Sequence, residues 1–212
     1  MFDLYVVTDS DLSRGRSDAE VARMAYEGGA DAVQLRMKHT DGREMLAQAK
    51  LIADAARDMD RFFFVNDRVD IAMASGADGV HLGQSDMPVS EARRLMGDDA
   101  IIGASVQTVG QAVEAVEQGA DYLGVGSIFI TATKPDAAQG LGLGAIFEIR
   151  QAVDVPVVAI GGINRGNIQD VIRAGADSAA VVSAVVAQED PRAAAHELRD
   201  LILKVRPIAP SL

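Results

Sequence analysis

The chain is 212 residues long and 49% hydrophobic, without a Pro/Gly/Ser-rich stretch or charge run that reads as a linker, so residues 1–212 are expected to make one domain with a full core. Its 31 acidic against 20 basic residues leave a formal net charge of −11, which argues against nucleic acid or an anionic membrane as partner and demands a local cluster of Lys, Arg and backbone N–H groups for any anionic ligand. The lack of cysteine excludes disulfides, thiol catalysis and thiolate metal sites.

The first apolar run is Leu4 to Val7, with no basic segment ahead of it, and no later run approaches the roughly 18 residues of a membrane span. A soluble, cytoplasmic protein is the expectation, with assembly into a homo-oligomer left open. Ser17 with Glu20 reads as a capping box ahead of the first helix. Gly29 to Leu35 (GADAVQL) is the first of four runs opened by Gly-Ala-Asp; the others are Gly76 to Leu82, Gly119 to Val125 and Gly175 to Val181. A glycine ending a helix in left-handed conformation, followed at once by a buried strand, is an αβ junction in sequence. Between these runs lie further strands at Phe62 to Val65, Ile101 to Ala104 and Pro156 to Ile160, making eight with the first. The helical patterns alternate with them. Met45, Ala49, Ile52 and Ala56 form an apolar stripe, a helix runs through Ile71 to Ser75, and another is entered at Pro88. Thr108 with Gln111 is a second capping box, Asn164 caps a helix carrying Ile168, Val171 and Ile172, and Asp190-Pro191 starts the last helix with Leu198, Leu201, Ile202 and Val205. Eight βα units with near-continuous apolar strands predict an α/β fold, a single (β/α)8 TIM barrel. A doubly wound sheet fits less well, because no G-x-G-x-x-G turn follows the first strand.

In this fold the C-terminal strand ends carry the chemistry. Strand two ends in Gln34-Leu35-Arg36-Met37-Lys38, whose period of two sends an amide and two cations to one side. Strands three and four end in Asn66-Asp67-Arg68 and Gly83-Gln84-Ser85-Asp86. Asp67 and Asp86 can share a Mg2+, which takes one or two carboxylates plus water and phosphate oxygens, or each can simply cap the helix that follows. Strand five presents Ser105, without a histidine–acid pair to make it a nucleophile. The segment from Gly126 to Gly140 is long for so small a domain and carries Thr131, Thr133 and Lys134, suited to an anion. Strands seven and eight lead to Gly161-Gly162 and Val182-Ser183, where this fold commonly builds a phosphate site from backbone N–H groups. His81, inside strand four, reads as a packed or hydrogen-bonded core residue rather than a base. A basic cluster, a carboxylate pair and a glycine-built cup at one mouth suit two phosphorylated small molecules, one needing a metal.

The motifs QLRMK at 34–38, NDR at 66–68, GVHLGQSD at 79–86, GASVQT at 103–108, GSIFITATK at 126–134, VAIGGI at 158–163 and VVSAV at 181–185 closely resemble the thiamine phosphate synthase family, in order and spacing, over nearly the whole chain. The resemblance implies a transferase that joins a hydroxymethyl-aminopyrimidine diphosphate to a hydroxyethylthiazole phosphate, giving thiamine phosphate and diphosphate with Mg2+ as cofactor. It further implies that Gln34, Arg36, Lys38, Asn66, Ser105 and Lys134 bind the pyrimidine diphosphate, with Arg36, Ser105 and Lys134 catalytic. Thr131, Thr133, Gly162, Val182 and Ser183 would hold the thiazole phosphate, and Asp67 and Asp86 the Mg2+. The family often has Gly-Pro-Ile-Phe-Pro-Thr where this chain has Gly126 to Thr131, and a histidine at Gln107; the two missing prolines predict a looser loop before Thr131. A related branch, the thiazole tautomerases, uses a histidine near the position of Ser127 and isomerises the thiazole. A barrel that binds a thiamine precursor without catalysis is a third reading.

Overall fold

The computed structural model describes residues 2–38, 40–131 and 140–206. Eight parallel strands close into a barrel in sequence order: β1 (Leu4–Val7), β2 (Ala32–Leu35), β3 (Phe62–Asn66), β4 (Gly79–Leu82), β5 (Ile101–Val106), β6 (Tyr122–Val125), β7 (Val157–Ile160) and β8 (Ser178–Val181). Helices cover the outside: α1 (Asp18–Glu27), α2 (Gly42–Asp58), α3 (Val69–Ser75), α4 (Val89–Met96), α5 (Val109–Glu117), α6 (Leu143–Ala152), α7 (Ile168–Arg173), α8 (Ser183–Val186) and α9 (Pro191–Leu203). The expected (β/α)8 barrel and all eight expected strands are present, and β5 runs two residues further than its apolar core, so Ser105 lies inside the strand.

Strand alternation divides the core. Leu4, Val6, Val33, Leu35, Phe63, Val65, Leu123 and Val125 face outward under the helices, while Tyr5, Ala32, Phe64, Tyr122, Val158 and Ala180 fill the barrel with Phe2. Phe2 sets its ring edge-on against Tyr5, Phe62, Phe64 and Tyr122, closing the barrel near the strand starts.

The Gly-Ala-Asp repeat has one structural job, done four times. Gly29, Gly76, Gly119 and Gly175 all have positive φ, between 73° and 105°, and turn the chain out of a helix. The alanine N–H then reaches back into that helix, as Ala30 to Ala25 and Ala120 to Ala115 show. The aspartate ties the new strand to the preceding one. The Asp31, Asp78, Asp121 and Asp177 amides donate to the carbonyls of Leu4, Phe63, Ile102 and Val157, and their carboxylates accept the amides of the same four residues at 2.7 to 3.1 Å. One backbone amide near the start of each odd strand is thereby satisfied by a charge-assisted bond.

Some local expectations change. Ser17 and Glu20 form the capping box, and Asp190 accepts the amides of Arg192 and Ala193. Thr108 accepts the Gln111 amide, but the Gln111 side chain reaches the Gln107 amide instead of closing the box. Asn164 does not cap the seventh helix. Its side chain ties a turn by accepting from Gly166 and donating to Gly162, and α7 starts only at Ile168. Asp67 and Asp86 cap nothing: α3 and α4 begin after Arg68 and Pro88, without a side-chain cap.

Candidate active site

β1 and β2 build the first wall together. The Thr8 hydroxyl accepts the Arg36 amide at 3.2 Å, and Asp9 takes the guanidinium at 3.1 Å, so Arg36 is fixed at both ends. Asp9 was not foreseen as a partner, because no spacing within one element signals a contact made 27 residues away. Lys38, one alternation further along, is exposed.

At the end of β3, Asp67 adopts a left-handed φ of 65°, a conformation that Asp and Asn reach more readily than other non-glycine residues. The turn brings its carboxyl into hydrogen-bonding contact with Asp86. Burial and the Asp86 charge push the Asp67 carboxyl up to about 6, against the pull of Lys38 and Arg36. Asp86 is itself held, accepting the Gly83 amide at 2.7 Å; a Cβ at 83 would sit 2.8 Å from that oxygen and push the carboxylate aside. Arg36, Lys38, Asp67 and Asp86 thus share one electrostatic neighbourhood, as their spacing at the strand ends led us to expect.

Gln34 and Ser105 point inward from opposite sides of the barrel. Gln34 is buried and donates to the Tyr5 hydroxyl at 2.9 Å, and Ser105 lies 2.9 Å from His81 Nε2. His81 Nδ1 meets the Tyr122 hydroxyl at 3.0 Å, so both ring nitrogens are engaged and His81 is the hydrogen-bonded interior residue the sequence suggested. Room for these rings comes from missing side chains. A Cβ at Gly124 would lie 2.8 Å from His81 Cε1, and one at Gly103 would lie 2.1 Å from Tyr122 Cζ. Asn66, half-buried, ends β3 beside His81.

On the far rim, Gly161 and Gly162 have φ of 102° and 67°. The space their missing Cβ atoms leave is taken by Ser127 and Phe129, so loop packing alone demands both glycines. The Ile128 and Phe129 amides donate to Ile160 and Gly161, while the Leu141 and Gly142 amides donate to Ser127 and Ile128. Residues 127–129 are therefore tied on both sides by backbone hydrogen bonds without prolines. Ser127 is buried against Gly161. Val182 and Ser183 open α8, whose first-turn amides have no preceding carbonyl within the helix. Thr131 is half-buried at the edge of the long loop; Thr133 and Lys134 lie outside the described residues.

A closed parallel barrel with cations, a carboxylate pair and a glycine-shaped rim at its C-terminal mouth belongs to the phosphate-handling barrel enzymes in layout. Residues 4–185 match the family model for thiamine monophosphate synthase. Over 201 residues the chain is 53% identical to the thiamine-phosphate synthase of Methanoculleus marisnigri, covering 95% of each protein. It is 55% identical over 199 residues to that of Chloroflexus aurantiacus, covering 94% of this chain and 92% of the relative. The solved thiamine phosphate pyrophosphorylase from Pyrococcus furiosus superposes with a TM-score of 0.89 at 45% identity, covering 96% of each chain. The chain belongs to the thiamine monophosphate synthase family, and its activity is that family's transferase activity, formation of thiamine phosphate.

Proposed function

We propose that the barrel mouth holds a hydroxymethyl-aminopyrimidine diphosphate beside a hydroxyethylthiazole monophosphate and moves the pyrimidine methylene from its diphosphate oxygen to the thiazole ring nitrogen. The observation carrying this reading is the Asp67–Asp86 pair set within the field of Arg36 and Lys38. Two carboxyls in contact sit together comfortably only with a proton or a cation between them. A Mg2+ ion fits this donor set, since it takes one or two carboxylates and completes its shell with water and phosphate oxygens. Bound there, it would supply neutralising charge to the departing diphosphate.

The chain's own residues divide the remaining work. Arg36, pre-aimed by Asp9 and Thr8, meets the diphosphate together with Lys38, so little side-chain entropy is lost on binding. Gln34, Asn66 and Ser105 receive the pyrimidine. Thr131, Gly162, Val182 and Ser183 take the thiazole phosphate, the last two with the α8 amides. Roles for Lys134 at the diphosphate and Thr133 at the thiazole phosphate rest on the sequence motif alone.

The C–O bond breaks with its electron pair leaving on diphosphate, the methylene cation is delocalised into the electron-rich aminopyrimidine, and the thiazole nitrogen lone pair then closes the C–N bond. No proton moves in that sequence, so no protein base is needed. The engaged state of both His81 nitrogens agrees with this. A cytoplasmic place of action belongs to the same proposal, because both substrates are charged phosphate esters; among the described residues no helix is long and apolar enough to cross a membrane.

Mixing both substrates with Mg2+ and following diphosphate release tests the reading. Release in step with thiamine phosphate supports it. Tight binding of one precursor without release would leave a silent barrel, and a change only in the thiazole isomer ratio would make the protein a tautomerase.

A further inference from the structure

Five side chains from five strands form one unbroken row through the barrel interior. Gln34 Nε2 donates to Tyr5 Oη at 2.9 Å, Tyr5 Oη meets Tyr122 Oη at 3.0 Å, Tyr122 Oη meets His81 Nδ1 at 3.0 Å, and His81 Nε2 meets Ser105 Oγ at 2.9 Å. Its two ends, Gln34 and Ser105, are residues assigned above to the pyrimidine. Its middle three have no role in the chemistry.

Proton counting makes the row directional. Each tyrosine hydroxyl has one proton, and a neutral imidazole has one N–H and one bare nitrogen. Tyr5, accepting from Gln34, passes its proton toward Tyr122, and Tyr122 passes its own to His81 Nδ1. His81 is then protonated at Nε2 and donates to Ser105, whose own proton is left for a partner at the mouth. Burial pushes both tyrosine hydroxyls well above their ordinary range, so both keep their protons at neutral pH. Rotating the Gln34 amide by half a turn reverses every bond in the row. A partial reversal leaves two protons, or two lone pairs, facing each other in a buried interior.

We propose that Tyr5, Tyr122 and His81 are positioning residues that lock the hydrogen-bonding sense of Gln34 to that of Ser105, so that the pocket offers an acceptor at Gln34 together with a donor at Ser105. That combination fits an aminopyrimidine, which brings an N–H donor and a bare ring nitrogen. The oxo counterpart, with a carbonyl and a ring N–H, requires the reverse at both ends and can be accommodated only by turning over the whole row. The row is thus the element that selects the amino-substituted ring. This inference rests on the placement of the pyrimidine against Gln34 and Ser105.

The test uses Tyr122→Phe in the full chain, which removes one hydroxyl and both of its bonds at nearly constant volume. The Michaelis constant for the aminopyrimidine diphosphate should rise about tenfold, that for the thiazole phosphate should stay unchanged, and the preference for the amino over the oxo diphosphate should fall about tenfold, each equivalent to about 1.4 kcal/mol. Equal changes in both Michaelis constants, or a lowered melting temperature with the preference intact, would reduce the row to core packing and overturn the proposal. If the variant fails to fold, ring nitrogen shifts of His81 in the unaltered protein decide. With the aminopyrimidine monophosphate bound the proton should reside on Nε2, and with the oxo analogue on Nδ1; the same tautomer in both complexes refutes the coupling. Gln34→Ala and Ser105→Ala separate the two levels. If neither alters pyrimidine affinity, the site placement itself is wrong, whereas if both do and Tyr122→Phe does not, only the row is rejected.

Discussion

Gly124 lies against the imidazole of His81 so closely that a Cβ at 124 would stand 2.8 Å from Cε1 and 3.1 Å from Nε2. Gly124→Ala must therefore displace the ring from Ser105 or from Tyr122. Overpacking of this kind costs about 1–3 kcal/mol, and the displaced ring should cost turnover more than tenfold. Gly144 in α6 has nothing within 4 Å of its missing Cβ, so Gly144→Ala should instead stabilise by about 0.5–1 kcal/mol with unchanged turnover. Thermal melting and steady-state rates of the two variants check the contrast.

Asp67→Asn separates stability from function. The pushed-up Asp67 carboxyl means that the folded chain holds a proton which the unfolded chain, near 4, has already lost. Between about pH 4 and pH 6 stability therefore falls as pH rises, and the penalty is fully present at pH 7 in the absence of a divalent cation. Because the group is only half-buried, solvent screening reduces the effect to about 1 kcal/mol. Asn keeps the left-handed backbone at no cost, so the variant should melt about 2–4 °C higher at pH 7. Its turnover should fall at least a hundredfold, and its melting temperature should no longer respond to Mg2+. A calorimetric pH series on both proteins with and without Mg2+ measures each effect.

How much of this could be seen in the chain follows from the range of each signal. The strands, the αβ junctions and the cluster at Gln34, Arg36 and Lys38 are local patterns, legible from period and punctuation, and they sit where expected. Sequence leaves Asp67 and Asp86 open between capping and metal binding and reads Asn164 as a cap, because an acid or amide before a helix can equally tie its own turn; the folded turns decide against capping at all three. Tyr5 and Tyr122 look like ordinary apolar strand residues, and nothing in their neighbourhood reports that barrel closure brings their hydroxyls to 3.0 Å across 117 positions. The space that admits Tyr122 and His81 was visible only as glycines at 103 and 124, which in sequence are indistinguishable from glycines of a turn.

Asp31 carries the most connections of the four repeat aspartates. It accepts the amides of Asp3 and Leu4 and lies 3.4 Å from Arg61 and 4.0 Å from Arg199. Asp31→Ala leaves two strand-start amides and the Arg61 guanidinium without their acceptor and Arg199 without its nearby counter-charge, at about 2–4 kcal/mol. The melting temperature should drop by about 5–15 °C. Since these contacts lie at the opposite end of the barrel from Arg36 and Asp67, both Michaelis constants and the turnover number at 25 °C should match those of the unaltered protein. A change in either constant would show that the strand starts communicate with the mouth.

Asp9 raises a competition between charge and orientation. It lies 3.1 Å from the Arg36 guanidinium, and its removal takes one negative charge away from a site that binds anions. By Coulomb's law alone Asp9→Ala should tighten every anion, and inorganic diphosphate, which can meet the guanidinium from any direction, should bind about two- to fivefold more tightly. The substrate's diphosphate has no such freedom, because its methylene must lie against the thiazole nitrogen, and a guanidinium loosened by one missing partner no longer holds the leaving oxygens in line. Orientation should outweigh charge for turnover, which is expected to fall about tenfold or more while the thiazole phosphate Michaelis constant stays put. Titrating inorganic diphosphate by calorimetry alongside steady-state kinetics gives both numbers from one variant; weaker inorganic diphosphate binding would mean that Asp9 acts by holding the loop itself.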